Sequence, residues 1–397
     1  MKIAMVSVRD NPLTARRDPD AVGQRLHVAQ LSEALARQGH ELTIHTRRTD
    51  PRLPRHVRVE RGIEVVHVPA GPAAVLGQDA VVPHIGEFAR NLDACWASEP
   101  PDVVHAHHWT SGLAAVLGAR RAAIPVVLSY HGIEGGDSAG IERLAGRGAA
   151  GVIATSGHEA NELARLGVRR SRISIVPWGV DTRMFTLNGP VAPRNGMPRI
   201  LAVAGLSPRD GVDDLIGALA AVTWTELVVA GSGLPEDLQR LRALAARHGV
   251  ADRVTFLGRV PHSDVPALIR SADVVACPQW HASFGMVPLE AMACGVPVVV
   301  SSGGHTESVV HEVTGLHVPP RKPVLLARAL RGVLADDTRR QELGAAGQDR
   351  TRVRYAWDRV AFDIARAYER AAGPEVIAAQ RAPSCGSPRA TPPRRAV

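Results

Sequence analysis

The stretch of sequence that decides the fold is HASFGMVPLEAMACG, residues 281–295. It follows an apolar run at 273–277 that is typical of a buried strand. Pro288 falls where the first turn of a helix tolerates a missing N–H group. Backbone N–H groups at such a helix start are free to bind an anion. The stretch therefore predicts a strand, a loop and a helix whose beginning faces a ligand.

Working outward, the same alternation of apolar strands and amphipathic helices runs through the chain twice. In the first half, runs of Val, Ile and Leu such as 103–106 and 126–130 are separated by helical patterns, which indicates a parallel sheet covered on both faces. The pattern restarts after the Pro- and Gly-rich segment 190–196. The sequence predicts an α/β fold with two Rossmann-like domains facing a central cleft, where open α/β sheets bind ligands.

The predicted division of the chain follows from these patterns and from a Pro-, Arg- and Ser-rich end without periodicity. It gives an N-terminal domain at 1–181, a linker at 182–196, a second domain at 197–354, a helix at 355–373 that packs back on the N-terminal domain, and a disordered tail at 374–397.

Composition argues against several classes of protein. The hydrophobic share of 45% and the charged share of 22% are globular values. No apolar run approaches the length of a membrane span, and residues 1–8 turn polar too soon for a signal peptide, so we expect a cytoplasmic location. The net charge of +8 comes from arginines interleaved with Asp and Glu, so no nucleic-acid partner is expected. Four widely spaced cysteines without a CxxC motif are expected to be reduced.

Several short motifs occur in one order along the chain: AVGQ at 21–24, PDVVHAH at 101–107, His131 after a strand, VPWGVD at 176–181, and the block at 284–295. This ordered set resembles glycosyltransferase family 4, the retaining enzymes of B-type fold, over roughly residues 1–371. The resemblance implies a nucleotide sugar as donor substrate, a small-molecule or glycan acceptor, transfer with retention, and neither a cofactor nor a metal.

The resemblance also implies roles for individual residues. Glu290 would accept hydrogen bonds from the donor ribose, and His131 would contact the donor sugar as the catalytic candidate. A helix-start glutamate favoured by the helix dipole and a structural histidine are the alternatives. The residues expected to bind the donor are Gly23, Phe284, Gly285, Met286, Val287 and Glu290.

Two other chemistries are weighed and set aside. His105, His107 and His108 could suggest a metal, but alternate strand positions face opposite sides and no carboxylate set accompanies them, so no metal site is predicted. Gly231 and Gly233 follow a strand as in a dinucleotide fingerprint, yet residues 234–236 break the GxGxxG pattern. NAD binding is therefore not expected, and motifs for a sugar-nucleotide epimerase are lacking.

Three donor positions depart from the family pattern. Gly205 and Asp210 stand where the family has an Arg and a Lys that neutralise the diphosphate, and Ala282 stands in place of a glutamate. Arg209 could replace the missing lysine. The segment 133–137, usually basic, is acidic and glycine-rich here. Charge-assisted hydrogen bonds contribute about 1.5 to 3 kcal/mol each, so we expect feeble transfer.

Two functions therefore stay open. One is a glycosyltransferase of family-4 type. The alternative is a catalytically silent homologue acting as a binding or partner subunit, for which an active paralogue is the expected partner.

Overall fold

The computed structural model describes residues 1–9, 24–59, 62–280, 285–302 and 307–373. Within them the chain forms two α/β units, each built on one sheet. The strands of the first sheet, in chain order, are β1 (Lys2–Ser7), β2 (Glu41–Arg47), β3 (His56–Val59), β4 (Ile63–Val68), β5 (Val103–His107), β6 (Val126–Ser129), β7 (Gly151–Ala154) and β8 (Ile173–Ile175).

The first sheet has the spatial order β3-β4-β2-β1-β5-β6-β7-β8. Its pairs are parallel except β3 with β4, which run antiparallel. The inner strands are buried along nearly their whole length, as β5 is, because helices cover both faces. The α-helices of this half are α1 (Gln24–Arg37), α2 (Gln78–Val81), α3 (Ile85–Ser98), α4 (Trp109–Ala119), α5 (Ala139–Gly148) and α6 (Gly157–Leu166).

The second sheet is parallel throughout and has the order β11-β10-β9-β12-β13-β14. Its strands are β9 (Arg199–Val203), β10 (Glu226–Ala230), β11 (Val254–Gly258), β12 (Val274–Cys277), β13 (Val298–Ser301) and β14 (Gly315–Val318). The helices that follow the first unit are α7 (Val212–Leu219), α8 (Pro235–Arg247), α9 (Val265–Arg270), α10 (Met286–Ala293), α11 (Pro323–Ala335), α12 (Asp337–Arg350) and α13 (Trp357–Ala372). The predicted fold class, two parallel-sheet domains of Rossmann type, is confirmed.

The chain crosses between the two units twice, and the crossings touch. The first follows β8, and the second is a π-helical turn, Thr351–Tyr355, that leads into α13. Val180 and Ala356 form a parallel bridge where the crossings meet. Beyond it, α13 leaves the second unit and buries its apolar face in the core of the first, with Tyr368 fully inaccessible.

The carboxyl ends of the two sheets face each other. Glu307, in the loop after β13, accepts hydrogen bonds from the backbone N–H groups of Gly157 (2.7 Å) and His158 (3.3 Å). These two residues begin α6, which follows the carboxyl end of β7. Glu307 thus caps a helix of the other domain, and the cleft between the domains is lined by strand ends from both sheets.

Candidate functional site

The predicted site residues fall into two groups with respect to the structure. Gly23, Ala282 and Phe284 lie outside the described residues. His131, Gly205, Asp210, Gly285, Met286, Val287 and Glu290 lie within them, all near the carboxyl ends of strands.

His131 follows β6 in a backbone conformation that few residues other than glycine adopt, with φ of 58°. Such strain persists where the surrounding structure requires it, often at functional sites. The His131 Nε2 atom lies 2.9 Å from Nδ1 of His107, the last residue of β5. Two neighbouring strand ends therefore hold the imidazole in place.

The other nitrogens of the two rings are enclosed by protein. His107 Nε2 lies 3.4 Å from the thioether sulfur of Met5. The Nδ1 atom of His131 is inaccessible to solvent and has no hydrogen-bond partner in the described part of the chain.

A third imidazole, that of His27 on α1, completes a cluster. One ring nitrogen from each of His27, His107 and His131 lies within 4.8 Å of the others, a spacing that could hold a metal ion. His107 already contacts His131 with one nitrogen and Met5 with the other, so a metal would have to displace one of these contacts. The absence of a metal site stays a prediction.

The cluster is electrically neutral at pH 7. Burial lowers the pKa of His27 to about 3, and burial together with neighbouring imidazoles lowers the pKa of His107 and His131 well below the ordinary value. These histidines cannot supply the positive charge that a diphosphate would require.

On the second domain, Glu290 is buried within α10 and forms a contact that sequence reasoning missed. Its Oε1 atom lies 2.9 Å from Nε2 of His262. Burial would lower the pKa of His262, but the hydrogen bond and the charge of Glu290 outweigh it, so the pKa is raised. His262 precedes α9 and is 28 residues from Glu290 in sequence, so no local pattern links them.

Helix α10 has Pro288 in its first turn, as predicted. We expected Glu290 in the first turn as well, and this prediction is wrong. Gly285 is the N-cap and Met286 the first helical residue, so Glu290 lies in the second turn. Met286 and Val287 occupy the first two helical positions, whose N–H groups have no acceptor within the helix. Within the described residues these two N–H groups have no hydrogen-bond acceptor, so they can bind an anionic ligand.

The loop after β9 holds Gly205 and Asp210, which we expected at the donor diphosphate, and it is folded onto itself. The Asp210 carboxylate accepts from the backbone N–H (3.0 Å) and the hydroxyl (2.7 Å) of Ser207, which forms a capping box. A Cβ at Gly205 would lie 2.5 Å from Oδ2 of the same carboxylate. The glycine and the aspartate are therefore coupled, because the carboxylate occupies the space where a side chain at 205 would begin.

Gly231, in the rejected dinucleotide fingerprint, has a structural explanation. A Cβ there would lie 1.8 Å from the carbonyl oxygen of Ala204, at φ of 153°. The turn after β10 needs glycine for this close backbone approach.

The acidic segment after His131 forms a defined structure. Glu134 Oε1 lies 3.0 Å from Nε2 of His108, and Oε2 accepts from the Trp109 indole at 3.0 Å and from the side-chain amide of Gln78. The fully buried Glu142 accepts from the backbone N–H groups of Glu134 (2.9 Å) and Gly135 (3.3 Å). Sequence analysis identified the acidity but not this arrangement.

One segment of the first crossing touches both halves of the site. The Trp178 ring lies 5.6 Å from that of His131, and the Phe185 ring lies 5.3 Å from that of His262. The neutral histidine cluster and the Glu290–His262 pair are therefore two walls of one cleft.

Comparison with known proteins agrees with this geometry. Two facing parallel-sheet domains joined by a double crossing define the B-type class of glycosyltransferases. The family described as Glycosyltransferase Family 4 matches residues 22–184, and the one described as Glycosyl transferases group 1 matches residues 189–350. The D-inositol 3-phosphate glycosyltransferases of Xylanimonas cellulosilytica and Jonesia denitrificans are 35% and 34% identical to this chain. The matches cover 93% of this chain in each case, and 97% and 96% of the respective relatives. The chain belongs to glycosyltransferase family 4.

Solved structures support the same fold. A sucrose-phosphate synthase from Thermosynechococcus elongatus superposes with a TM-score of 0.78 at 27% identity, over 96% of this chain and all of that one. Anabaena HepE, solved in complex with UDP-glucose, gives a TM-score of 0.71 at 21% identity, over 92% of this chain and 98% of that one. In the described part of this chain, no helix combines the length and the apolar character needed to cross a bilayer.

Proposed function

We propose that this protein is a retaining glycosyltransferase that moves a sugar from a nucleoside-diphosphate donor to an acceptor bound against the first domain. The observation that carries the proposal is the crossing segment, which contacts His131 through Trp178 and the Glu290–His262 pair through Phe185. The two groups expected to hold the sugar and the ribose therefore lie on either side of one segment.

In this proposal each group has one task. Glu290, oriented by His262, accepts hydrogen bonds from the ribose, and the N–H groups of Met286 and Val287 bind the diphosphate. The imidazole of His131 contacts the donor sugar. The bond from the anomeric carbon to the diphosphate oxygen breaks, the acceptor oxygen bonds on the same face, and the acceptor proton passes to the leaving diphosphate. The reaction as proposed requires no cofactor, and the cytoplasm is the proposed location.

A second candidate, a nucleotide-binding homologue with little or no transferase activity, is favoured by the loop after β9. Asp210 bonds to Ser207 where the family has a lysine, and the neutral histidines do not restore the missing charge. Removing one charge-stabilising donor typically slows a reaction about 100- to 1000-fold.

The test is a panel of UDP-, GDP- and TDP-sugars, with binding followed by calorimetry and transfer followed by product analysis. We expect nucleotide binding together with turnover well below the usual range of about 1 to 1000 per second. Turnover within that range would point to Arg209 as a replacement cation. Failure to bind any nucleotide at millimolar concentration would contradict the transferase proposal and favour the partner subunit.

A further inference from the structure

One groove of the molecule is lined by none of the residues placed in the cleft. It is open to solvent, has a volume of about 990 Å³, and lies between β8, the turn Thr351–Tyr355 and the outward face of α13. β8 is the last strand of the first sheet, and within the described residues it pairs only with β7. A groove of this size can hold a ligand or a segment of another chain, and the proposed reaction gives it no task.

The outer edge of β8 keeps backbone groups that the sheet does not use. The N–H of Val176 donates to the carbonyl of Ala154 in β7 (2.8 Å). Because consecutive residues of a strand direct their backbone groups to opposite edges, those of Ile173 and Ile175 point away from β7. No described residue bonds to the N–H of Ile175 or to the carbonyls of Ile173 and Ile175. Such an edge can accept a further strand.

Arginines dominate the charge of the groove. The charged residues that line it are Arg350, Arg354, Arg359, Arg366 and Arg370, together with Asp349 and Asp363. The four residues of this set on α13 recur at intervals of three and four, which places them on one stripe of the helix that runs beside β8.

Most of this positive charge meets no carboxylate. Asp363 pairs with Arg359 at 3.0 Å. Arg370 donates to the hydroxyl of Ser174 in β8 (2.9 Å), which is uncharged. Arg354 and Arg366 are exposed and have neither an ion pair nor a hydrogen bond to any described residue. The two aspartates therefore do not balance the five arginines, and the groove is positively charged.

The charge and the strand edge together indicate the occupant. Residues 374–397, which follow α13, hold four arginines and one acidic residue, Glu375, so this segment of the chain has the wrong charge for the groove. A polyanion of opposite charge would fit. Among polyanions, a polypeptide can also bond to the free edge of β8 through its own backbone, which a lipid headgroup or a free phosphate cannot do in register.

We propose that the groove binds an extended acidic segment of a partner protein, which adds to the edge of β8 as a further strand. Its backbone bonds to Ile173 and Ile175 and fixes the register. Alternate side chains of a strand face the same side, so acidic residues at every second position face the arginines of α13. Charge-assisted bonds from arginine to carboxylate then give the preference for acidic side chains. The inference goes beyond sugar transfer and does not depend on it.

The experiment uses the full chain and a fluorescent eight-residue peptide that alternates Glu and Val, with binding followed by anisotropy. The same peptide with Lys in place of Glu should not bind. The affinity of the Glu peptide should fall as salt rises, because the charge pairs are partly exposed. Inorganic polyphosphate, which has charge but no peptide backbone, should bind more weakly than the Glu peptide.

Two methylated peptides test the added strand. One carries N-methyl groups on every Val nitrogen and the other on every Glu nitrogen, and both keep the full charge. Only one of the two sets of N–H groups can face β8. One methylated peptide should therefore bind at least about 10-fold more weakly than the parent, and the other should bind nearly as well.

Arg354→Gln combined with Arg366→Gln tests the charge. Because neither side chain contacts a described residue, the double variant should fold normally and weaken binding of the Glu peptide about 10-fold. Arg328→Gln combined with Arg331→Gln is the matched control. These two arginines of α11 are also exposed and without a partner among the described residues, but they lie outside the groove, so the affinity should not change.

Four outcomes would overturn the proposal. Equal binding of the Lys peptide would remove the charge preference, and unchanged affinity in the variant of Arg354 and Arg366 would remove the groove as the binding site. Full affinity of both methylated peptides would exclude the added strand. Tighter binding of polyphosphate than of the Glu peptide would make the groove a phosphate site. None of these measurements requires a donor sugar, so each result is separate from success or failure of the transferase proposal.

Discussion

The two walls of the cleft are stabilised by different kinds of contact. The first-domain wall is built from buried, neutral histidines that bond to one another and to strand ends, as in the contact between His107 and His131. The second-domain wall is built from carboxylates that form hydrogen bonds with neighbouring side chains. Glu290 contacts His262, and Asp210 accepts from Ser207. We expect the departure from the family pattern to be one of charge, because Gly205 and Asp210 stand where the resemblance implies cations. The comparison teaches that the loop after β9 is stabilised by its own carboxylate, whereas the first-domain wall depends on contacts between neighbouring strand ends.

The largest expected effect is a difference between the two domains in how their stability depends on pH. Burial lowers the pKa of His27 and His105 to about 3 and of His45 to about 4, with His107 and His131 also well below 6.5. Below pH 6.5 these histidines bind protons in the unfolded chain but stay neutral in the native state. The native state is therefore most stable above the unfolded pKa of about 6.5, and it loses stability as the pH falls below that value. Each of His27, His105 and His45, whose folded pKa lies near 3 or 4, should lower the free energy of unfolding by about 2 kcal/mol between pH 7 and pH 5.

Hydrogen exchange followed by peptide mass spectrometry at pH 7, 6 and 5, corrected for intrinsic rates, would check this. Peptides of the first domain should lose protection before those of the second. His262, whose pKa is raised, behaves oppositely, because its contribution is full below 6.5 and is lost as the pH rises through its folded pKa. Equal loss of protection in both domains would contradict the expected difference in pH dependence between them.

The next largest effect should come from adding charged side chains at three positions of the second-domain wall. Gly205→Arg, Asp210→Lys and Ala282→Glu together should strengthen binding of a diphosphate donor by about 3 kcal/mol or more while leaving the nucleoside nearly unchanged, because two of the changes add cations where only phosphates would bind. The gain should shrink as salt rises. Gly205→Arg alone should gain little, since its Cβ would meet the Asp210 carboxylate.

Calorimetry with UDP-sugar, UDP and uridine measures these differences. Asp210→Lys alone is the control for folding, because it breaks the capping box and should cost about 0.5 to 2 kcal/mol of stability. Equal tightening of donor and nucleoside by the folded triple variant would show that these positions do not face a diphosphate.

A smaller effect should come from Glu290→Gln. The change removes the charge that faces His262 and the proposed ribose site, so we expect nucleoside binding to weaken by about 1 to 3 kcal/mol and the pKa of His262 to fall. Calorimetry and titration of the His262 ring by NMR test both parts. Glu312→Gln, an exposed carboxylate of the same domain, is the control. Unchanged nucleoside affinity would remove Glu290 from the donor site.

The smallest effect concerns the contact between the walls. Glu307→Ala removes the cap that the second domain places on α6, which should cost less than about 1 kcal/mol of stability. Small-angle scattering should nonetheless show a wider spread of domain separations. An unchanged scattering profile would mean that the double crossing alone sets the domain arrangement.

Sequence alone predicted the fold class because the strands are nearly continuous apolar runs, such as β5 and β6, and the patterning restarts after the linker. The short strand β3 was missed because its half-exposed residues at the sheet edge carry little hydrophobic signal.

The site was predictable only where it is local. Met286 and Val287 could be placed at a helix start from Pro288 alone. The contact of Glu290 with His262 joins residues 28 positions apart, and the bond of Glu134 with Gln78 spans 56, so no spacing rule reveals them. The absence of cations expected at Gly205 and Asp210 was inferred from a motif, whereas the hydrogen bonds from Ser207 to the Asp210 carboxylate required coordinates. The roles of the predicted site residues stay predictions.

Helix α13 also sets the timing of folding during synthesis. Trp357 and Tyr368 of α13 pack in the same core as Ile3 and Met5, so the first domain lacks part of its interior until the chain has been synthesised as far as Ala372. At about 5 to 20 residues per second, the ribosome needs about 10 to 40 s to pass from Val180 to Ala372. For that interval the emerging first domain exposes the apolar groove that α13 later fills, and termination of the chain before Trp357 would leave this groove permanently open.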